Sequence, residues 1–146
     1  MTHLVKSFLN RNLLTLMACT GAFAPQALMA NEGSCPLGNA TLHGTYVVTG
    51  TGTTPLGPVA AVGEITYDGN GNTDATYTAM LNGVMHVPTV TGIYVVNSDC
   101  TGTHHESDNS HYNFVVTPDG DKVWWIRIDA GFVTSGTIVR LRHFYE

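Results

Sequence analysis

The stretch VAAVGEITYDGNGNTDATYTAML, residues 59–81, decides the fold of this chain. Its two ends are rich in β-branched and aromatic residues that alternate with polar ones, which is typical of β-strands. Between them, residues 68–72 read Asp-Gly-Asn-Gly-Asn. Gly and Asn adopt the positive φ that tight hairpin turns require. The stretch therefore predicts two antiparallel strands, 59–67 and 73–81, joined by a hairpin.

The same pattern recurs on both sides of this hairpin, and no window of the mature chain shows a sustained helical period. Turns at Asn82-Gly83 and at residues 118–121 separate further strand-like runs. Residues 31–42 are interpreted as an irregular lead-in, 98–109 as a polar loop, and 130–135 as a loop or a short pairing segment. The remaining predicted strands cover residues 43–51, 84–87, 90–97, 111–117, 122–129 and 136–144.

About eight short strands joined by tight turns predict an all-β fold, a single small antiparallel β-barrel. Closure into a barrel also removes the exposed sheet edges that such a Val-rich and Thr-rich sheet would otherwise present. A β-sandwich is the alternative, but it accounts less well for strands that are apolar on both faces. In a barrel, one face lines the interior and the other packs against the lead-in or a partner chain, so a homo-oligomer is one expected arrangement.

The N-terminus has the layout of a secretory signal. Lys6 and Arg11 give it a basic start, residues 13–24 are apolar and uncharged, and residues 25–30 end in small side chains. We therefore predict a signal peptide at residues 1–30 and an exported β-barrel domain at 31–146, periplasmic or secreted. A minor alternative is a lipid anchor at Cys19, because residues 16–19 resemble a bacterial lipoprotein box.

The number of cysteines indicates in which kind of cellular compartment the chain folds. Removal of the signal leaves Cys35 and Cys100, and two cysteines in an exported domain predict one disulfide; a reactive or metal-bound thiol is the alternative.

Residues 31–146 carry four basic and eleven acidic side chains, a net charge of −7. This balance excludes a nucleic-acid partner, which needs clustered cations. No later apolar run approaches the ~20 residues of a membrane span.

Aromatic residues on the predicted strands are the first candidates for a binding site. Aromatic walls with a few hydroxyl groups suit an apolar small molecule, although a small barrel must also fill its own interior with large side chains. The predicted ligand-binding residues are Tyr46, Tyr77, Tyr94, Tyr112 and Trp124; Phe114 and Trp125 belong to the same aromatic set.

Two sets of polar residues are further candidate sites. His104, His105, Glu106, Asp108 and His111 lie within eight residues of one another, but their spacing matches no standard zinc motif. A solvated polar loop is therefore preferred, with no metal and no cofactor.

Glu64 and Arg127 are single charges inside apolar strand patterns. Pointing inward they would form an acid–base or orienting pair; the alternation favours the outward orientation for both. The chain contains no G-x-S-x-G elbow, P-loop or H-E-x-x-H motif.

Four segments, HGTY (43–46), VGEITYDGNGN (62–72), TGIYVVNSDCTGT (91–103) and SGT (135–137), resemble a widespread family of small exported bacterial proteins, most of them without an assigned function. The resemblance covers most of residues 43–142. It implies an architecture similar to lipocalin-like and allene-oxide-cyclase-like barrels. Those barrels hold apolar small molecules, and some relatives close rings in fatty-acid or polyketide derivatives. The family has no catalytic motif to carry over.

Three functions follow as alternatives. The barrel binds an apolar small molecule in its interior, or it is a cofactor-free cyclase or isomerase that holds a flexible substrate in a reactive shape. Otherwise its core is packed solid, and it acts as a surface or assembly protein through its loops. An interior cavity of roughly 300 Å³ or more would favour a ligand, and an inward polar group beside it would favour chemistry.

Overall fold

The computed structural model of this protein describes residues 33–142. The predicted signal peptide and Cys19 lie outside the described residues. A single 3-10 turn, Gly38–Thr41, precedes the first strand. The nine strands are β1 (His43–Thr54), β2 (Gly57–Asp68), β3 (Asn72–Leu81), β4 (Val84–His86), β5 (Thr89–Val96), β6 (Thr101–Glu106), β7 (His111–Val116), β8 (Lys122–Arg127) and β9 (Val133–Arg140).

Eight of these strands close into an antiparallel barrel, which confirms the predicted fold class. Each barrel strand pairs with the next along the chain, and β9 returns to pair with β1. Tyr46 of β1, for example, lies between Ile65 of β2 and Arg140 of β9. Since the sheet closes on itself, its backbone groups are paired all the way round.

The extra strand β4 lies in line with β5 along the same edge of β3. The pairs Ala79–His86 and Thr76–Thr89 keep one register, so β4 and β5 form an interrupted strand. Pro88 stands at the interruption, where it has no N–H to donate to the ladder. Its carbonyl oxygen still accepts a hydrogen bond from the Tyr77 amide at 3.1 Å.

One end of the barrel is closed by aromatic rings and by the lead-in segment. The ring of Tyr67 packs edge-on against Tyr46 and Tyr94, with centroids 5.2 Å and 4.9 Å apart. The Tyr94 hydroxyl lies 2.9 Å from the carbonyl oxygens of Asn39 and Leu42, which ties the lead-in to β5. Burying each of these large side chains contributes about 2 kcal/mol.

The predicted disulfide is present and attaches the lead-in segment to the same end of the barrel. Cys35 of the lead-in bonds to Cys100 in the turn before β6, across 65 residues of sequence. Both cysteines are buried, and the Cys35 amide donates to the Ser98 carbonyl at 2.9 Å. A disulfide of this kind indicates folding in an oxidising compartment, outside the cytoplasm.

Several predicted boundaries differ from those of the structure, and two of the differences matter most. Residues 98–109 are not one polar loop, because Thr101–Glu106 forms β6 between β5 and β7. Its polar side chains fit a strand because Gly102, His104 and Glu106 face inward while the alternate residues face solvent. The last strand begins at Val133 rather than at residue 136, so the end of the 130–135 segment is the pairing segment that was one of its two predicted alternatives; Val133 pairs with Thr53 of β1.

Candidate functional site

The rings of Tyr46, Tyr67 and Tyr94, which close one end of the barrel, are called the stopper below. Between the stopper and the opposite end, the interior contains a cavity of about 110 Å³, called the chamber. Most of its wall is apolar and comes from strands on all sides of the barrel. Val48, Ile65, Phe114, Val123 and Ile138 supply much of this surface. The polar side chains that line it are Tyr67, Tyr77, His104, Glu106 and Tyr112. The cavity is smaller than the roughly 300 Å³ that would favour a ligand of ordinary size, so it fits only a compact molecule.

Two further recesses share lining residues in turn, the first with the chamber and the second with the first. The first, of about 130 Å³, shares Tyr112 and Trp125 with the inner chamber. The second, of about 330 Å³, shares Arg127 and Phe132 with the first and reaches the hairpin tip at Leu56. The first recess therefore borders the chamber, and a ligand longer than the chamber would place its outer part there.

Glu106 is the centre of the polar group in the chamber. It is the last residue of β6, its side chain faces inward, and only 8% of the residue is exposed. The hydroxyl of Tyr77 donates a short hydrogen bond to Oε1, and that of Tyr112 donates to Oε2 at 3.0 Å. A buried carboxyl is tolerated when its oxygens accept such bonds, and here Tyr77 of β3 and Tyr112 of β7 supply them.

Burial shifts the titration of all three groups. It raises the pKa of Glu106, and the hydrogen bonds from Tyr77 and Tyr112 partly oppose this shift. Burial and the adjacent Glu106 charge also raise the pKa of both tyrosines. The phenols therefore keep their protons and act as donors, while the carboxyl acts as the acceptor.

His104 lies next to this group and is neutral at neutral pH. Burial lowers the pKa of its imidazole to about 4. Its Nε2 lies 2.9 Å from the Thr73 hydroxyl, and its ring stacks on Tyr112 with centroids 5.8 Å apart. Gly92 on the adjoining strand makes room for the ring, since a Cβ there would lie 2.5 Å from Nε2.

Trp125 forms another wall of the chamber, where its indole ring lies over Gly50 of β1. A Cβ on Gly50 would sit 2.5 Å from Cζ2 of the indole, so only glycine permits this close approach. The Trp125 ring meets Tyr112 at 90°, with centroids 5.4 Å apart. Perpendicular rings of this kind enclose a small space on two sides.

Charged residues occupy the rim. The Arg127 guanidinium lies 3.7 Å from the Phe132 ring centroid, and its Nε donates to Asp129 at 2.6 Å. Asp129 also lies 2.7 Å from Nδ1 of His111. Although burial opposes the change, these partners lower the pKa of Asp129 to about 2. Arg127 faces the interior side of β8, so the predicted outward orientation was wrong for it; Glu64 is on the outer face, as predicted.

The five aromatic residues predicted to bind a ligand fall into three places. Tyr77 and Tyr112 line the chamber. Tyr46 and Tyr94 face inward but belong to the closed end. Trp124 points outward and is 46% exposed, so it is not part of the interior wall. Trp125 takes the inner position because it pairs with Phe114 of β7 and fits over Gly50.

The histidine-rich stretch is divided between two sides of the sheet. His104 and Glu106 face the chamber, whereas His105 faces outward and packs edge-on against His111, 4.7 Å between centroids. Among residues 33–142, no three His, Cys, Asp or Glu side chains converge as metal ligands would.

Sequence reasoning missed Glu106 and His104 as interior residues because it placed them in a loop. The signal was present: Thr101, Thr103 and His105 alternate with Gly102, His104 and Glu106. β-Branched residues at every second position favour a strand. The polarity of the inward set concealed this pattern.

Comparison with models of known protein families, with characterised proteins and with solved structures finds no match to this chain. In the part of the chain that the structure describes, no helix is long and apolar enough to cross a membrane.

Proposed function

We propose that this protein is an exported β-barrel that binds a compact organic molecule in its interior, and that it is located in the periplasm or secreted. One observation carries the proposal: an apolar chamber that contains a carboxyl group held by two tyrosines. A wall that is mostly apolar, with a few convergent polar groups, is the usual composition of a small-molecule site.

The size of the chamber limits the ligand. About 110 Å³ is less than an engineered cavity of about 150 Å³ that binds benzene. The ligand is therefore a molecule about as large as a substituted benzene that extends into the adjoining recess, or the end of a longer one. The resemblance to lipocalin-like barrels supports binding of this kind by analogy of fold alone.

Two measurements test this proposal. Mass spectrometry of small molecules that co-purify with the protein should recover a compact organic compound. Benzyl alcohol, used as a neutral probe, should quench or shift the fluorescence of Trp125, read without interference in a Trp124→Phe background.

A matched pair of variants locates the binding. Ala61 lines the chamber, and Ala60 beside it on β2 faces solvent. Ala61→Leu should weaken benzyl alcohol binding by about tenfold or more because it fills the chamber. Ala60→Leu should leave it unchanged. No binding to the parent protein would instead favour a solid barrel that acts through its loops.

The Glu106 carboxyl favours one second function, a cofactor-free isomerase or cyclase. A carboxyl with a raised pKa beside a bound ligand is suited to move a proton to or from carbon. The recovered compound, incubated with the protein in D₂O, should then gain deuterium at carbon. Glu106→Gln should abolish the exchange, and the absence of exchange with the parent protein would reject this function.

A further inference from the structure

We propose that the ligand of the inner chamber is a small organic cation, a protonated primary amine, whose charge lies between Glu106 and the surrounding aromatic rings. This inference rests on the proposed function and narrows the class of ligand.

The charge balance of the chamber is the first argument. Among its described lining residues, Glu106 is the one acidic side chain, and no Lys or Arg lines the chamber. An ionised carboxylate in an apolar space is costly unless a cation accompanies it. A bound ammonium group would supply that cation.

The free acceptor capacity of Glu106 is the second argument. A carboxylate offers about four lone-pair positions, and Tyr77 and Tyr112 use one on each oxygen. Because Glu106 also lines the chamber, the remaining positions suit a ligand that donates hydrogen bonds. An ammonium group donates, whereas a ligand carboxylate would be repelled.

The aromatic wall is the third argument. Rings attract a cation that lies within about 6 Å of their centroids, and Trp and Tyr do so most strongly. Trp125 and Tyr112 stand perpendicular to one another, 5.4 Å apart, and Tyr67, Tyr77 and Phe114 line the same space. His104, neutral in this setting, adds no opposing charge.

The approach to the chamber also suits a cation. Arg127 lies at the rim, with its guanidinium 5.9 Å from the Tyr112 ring centroid, and its charge is paired with Asp129 at 2.6 Å. Asp108 adds a negative charge to the outer recess. Residues 31–146 have a net charge of −7, which attracts cations and repels anions.

Three probes of similar shape and different charge test the inference. They are benzylamine, benzyl alcohol and benzoate, titrated against the protein by calorimetry and by Trp125 fluorescence in the Trp124→Phe background. Benzylamine should bind about tenfold or more tightly than benzyl alcohol, and benzoate should not bind. Equal binding of the amine and the alcohol would overturn the inference and leave the proposed function standing. No binding of any probe would overturn both.

A matched pair of variants assigns the preference to the chamber. Glu106→Gln and Glu64→Gln remove the same charge, but Glu64 lies on the outer face of β2. Glu106→Gln should abolish the preference for benzylamine, and Glu64→Gln should keep it. A preference that survives Glu106→Gln would overturn the inference.

A pH series on the unmodified protein gives a second test if Glu106→Gln does not fold. Tyr67, Tyr77, Tyr112 and His104 face Glu106 or its chamber, and Arg127 and Asp108 stand nearer the rim. The tyrosines stay protonated, and His104 gains its proton only near pH 4. The preference for benzylamine should fall at a higher pH than this, as Glu106 is protonated. A constant preference down to about pH 4 would overturn the inference.

Discussion

The phenol of Tyr112 donates a hydrogen bond to Oε2 of Glu106 at 3.0 Å, across the turn that joins β6 to β7. Tyr112→Phe removes this donor and leaves a buried carboxylate with one fewer partner. We expect the free energy of unfolding to fall by about 2 kcal/mol at neutral pH, and the pKa of Glu106 to rise further. Urea unfolding and a carbon-13 NMR titration of the carboxyl measure the two effects.

Measuring the free energy of unfolding of Tyr112→Phe and of the parent protein at several pH values provides a control. Once Glu106 is protonated, the lost bond is no longer to a charged acceptor, and the difference from the parent protein should shrink. A deficit that stays constant on acidification would show that Tyr112 acts through packing alone.

His104 should make the fold sensitive to acid. Burial lowers the pKa of its imidazole from 6.5 to about 4, so between these values the unfolded chain binds the proton more readily than the native state. Its contribution to stability is present above pH 6.5 and is lost as the pH falls toward 4, up to about 3 kcal/mol in all. Urea unfolding at several pH values measures this loss.

Two glutamine variants isolate the effect of His104. His104→Gln should remove this part of the pH dependence, whereas His105→Gln, on the outer face of the same strand, should keep it. Glu106, whose pKa is raised, acts in the opposite direction in all three proteins. Identical pH profiles for the parent and His104→Gln would contradict the assignment.

The disulfide should contribute substantially to stability. Replacing both cysteines, Cys35→Ser with Cys100→Ser, frees a loop of 65 residues in the unfolded chain. The chain-entropy relation gives a loss of about 4 kcal/mol in the free energy of unfolding. Urea unfolding of the double variant, and of the parent protein under reducing conditions, should give similar losses; an unchanged midpoint in either would argue against this role.

Gly50 should be required for the position of Trp125. The added methyl group of Gly50→Ala would overlap the indole, so the ring must move. We expect a loss of about 1–3 kcal/mol in the free energy of unfolding and a red shift of Trp125 fluorescence, read with Trp124→Phe. Thr51→Ala, the next residue on the outer face, is the control and should change neither. An unshifted spectrum in Gly50→Ala would show that the wall can adapt.

The hairpin architecture could be predicted from sequence because local chemistry specifies it. Asn82 and Gly83 adopt positive φ in the turn before β4, and Gly69 and Gly71 do so in the turn before β3. Turns of this type fix which strands are neighbours. Once the neighbours were fixed, a closed barrel followed from the apolar pattern, and the disulfide followed from the count of cysteines in an exported chain.

The site could not be predicted in the same way, because long-range pairing sets which face of a strand turns inward. In β8 the apolar alternation favours Trp124 and Ile126 as the inner set, yet pairing with β7 turns Trp125 inward. Arg127 then faces the interior as well, which is tolerated because it lies at the rim beside Asp129. In β6 two inner residues are polar, and they are compatible with burial because the tyrosines of β3 and β7 bond to Glu106 and Thr73 of β3 bonds to His104.

The rings of Tyr46, Tyr67 and Tyr94 close one end of the barrel, and the disulfide holds the lead-in segment behind them. A ligand bound in the chamber, as we propose, would therefore leave by the end through which it entered. The loops at that end would then set how long it stays bound.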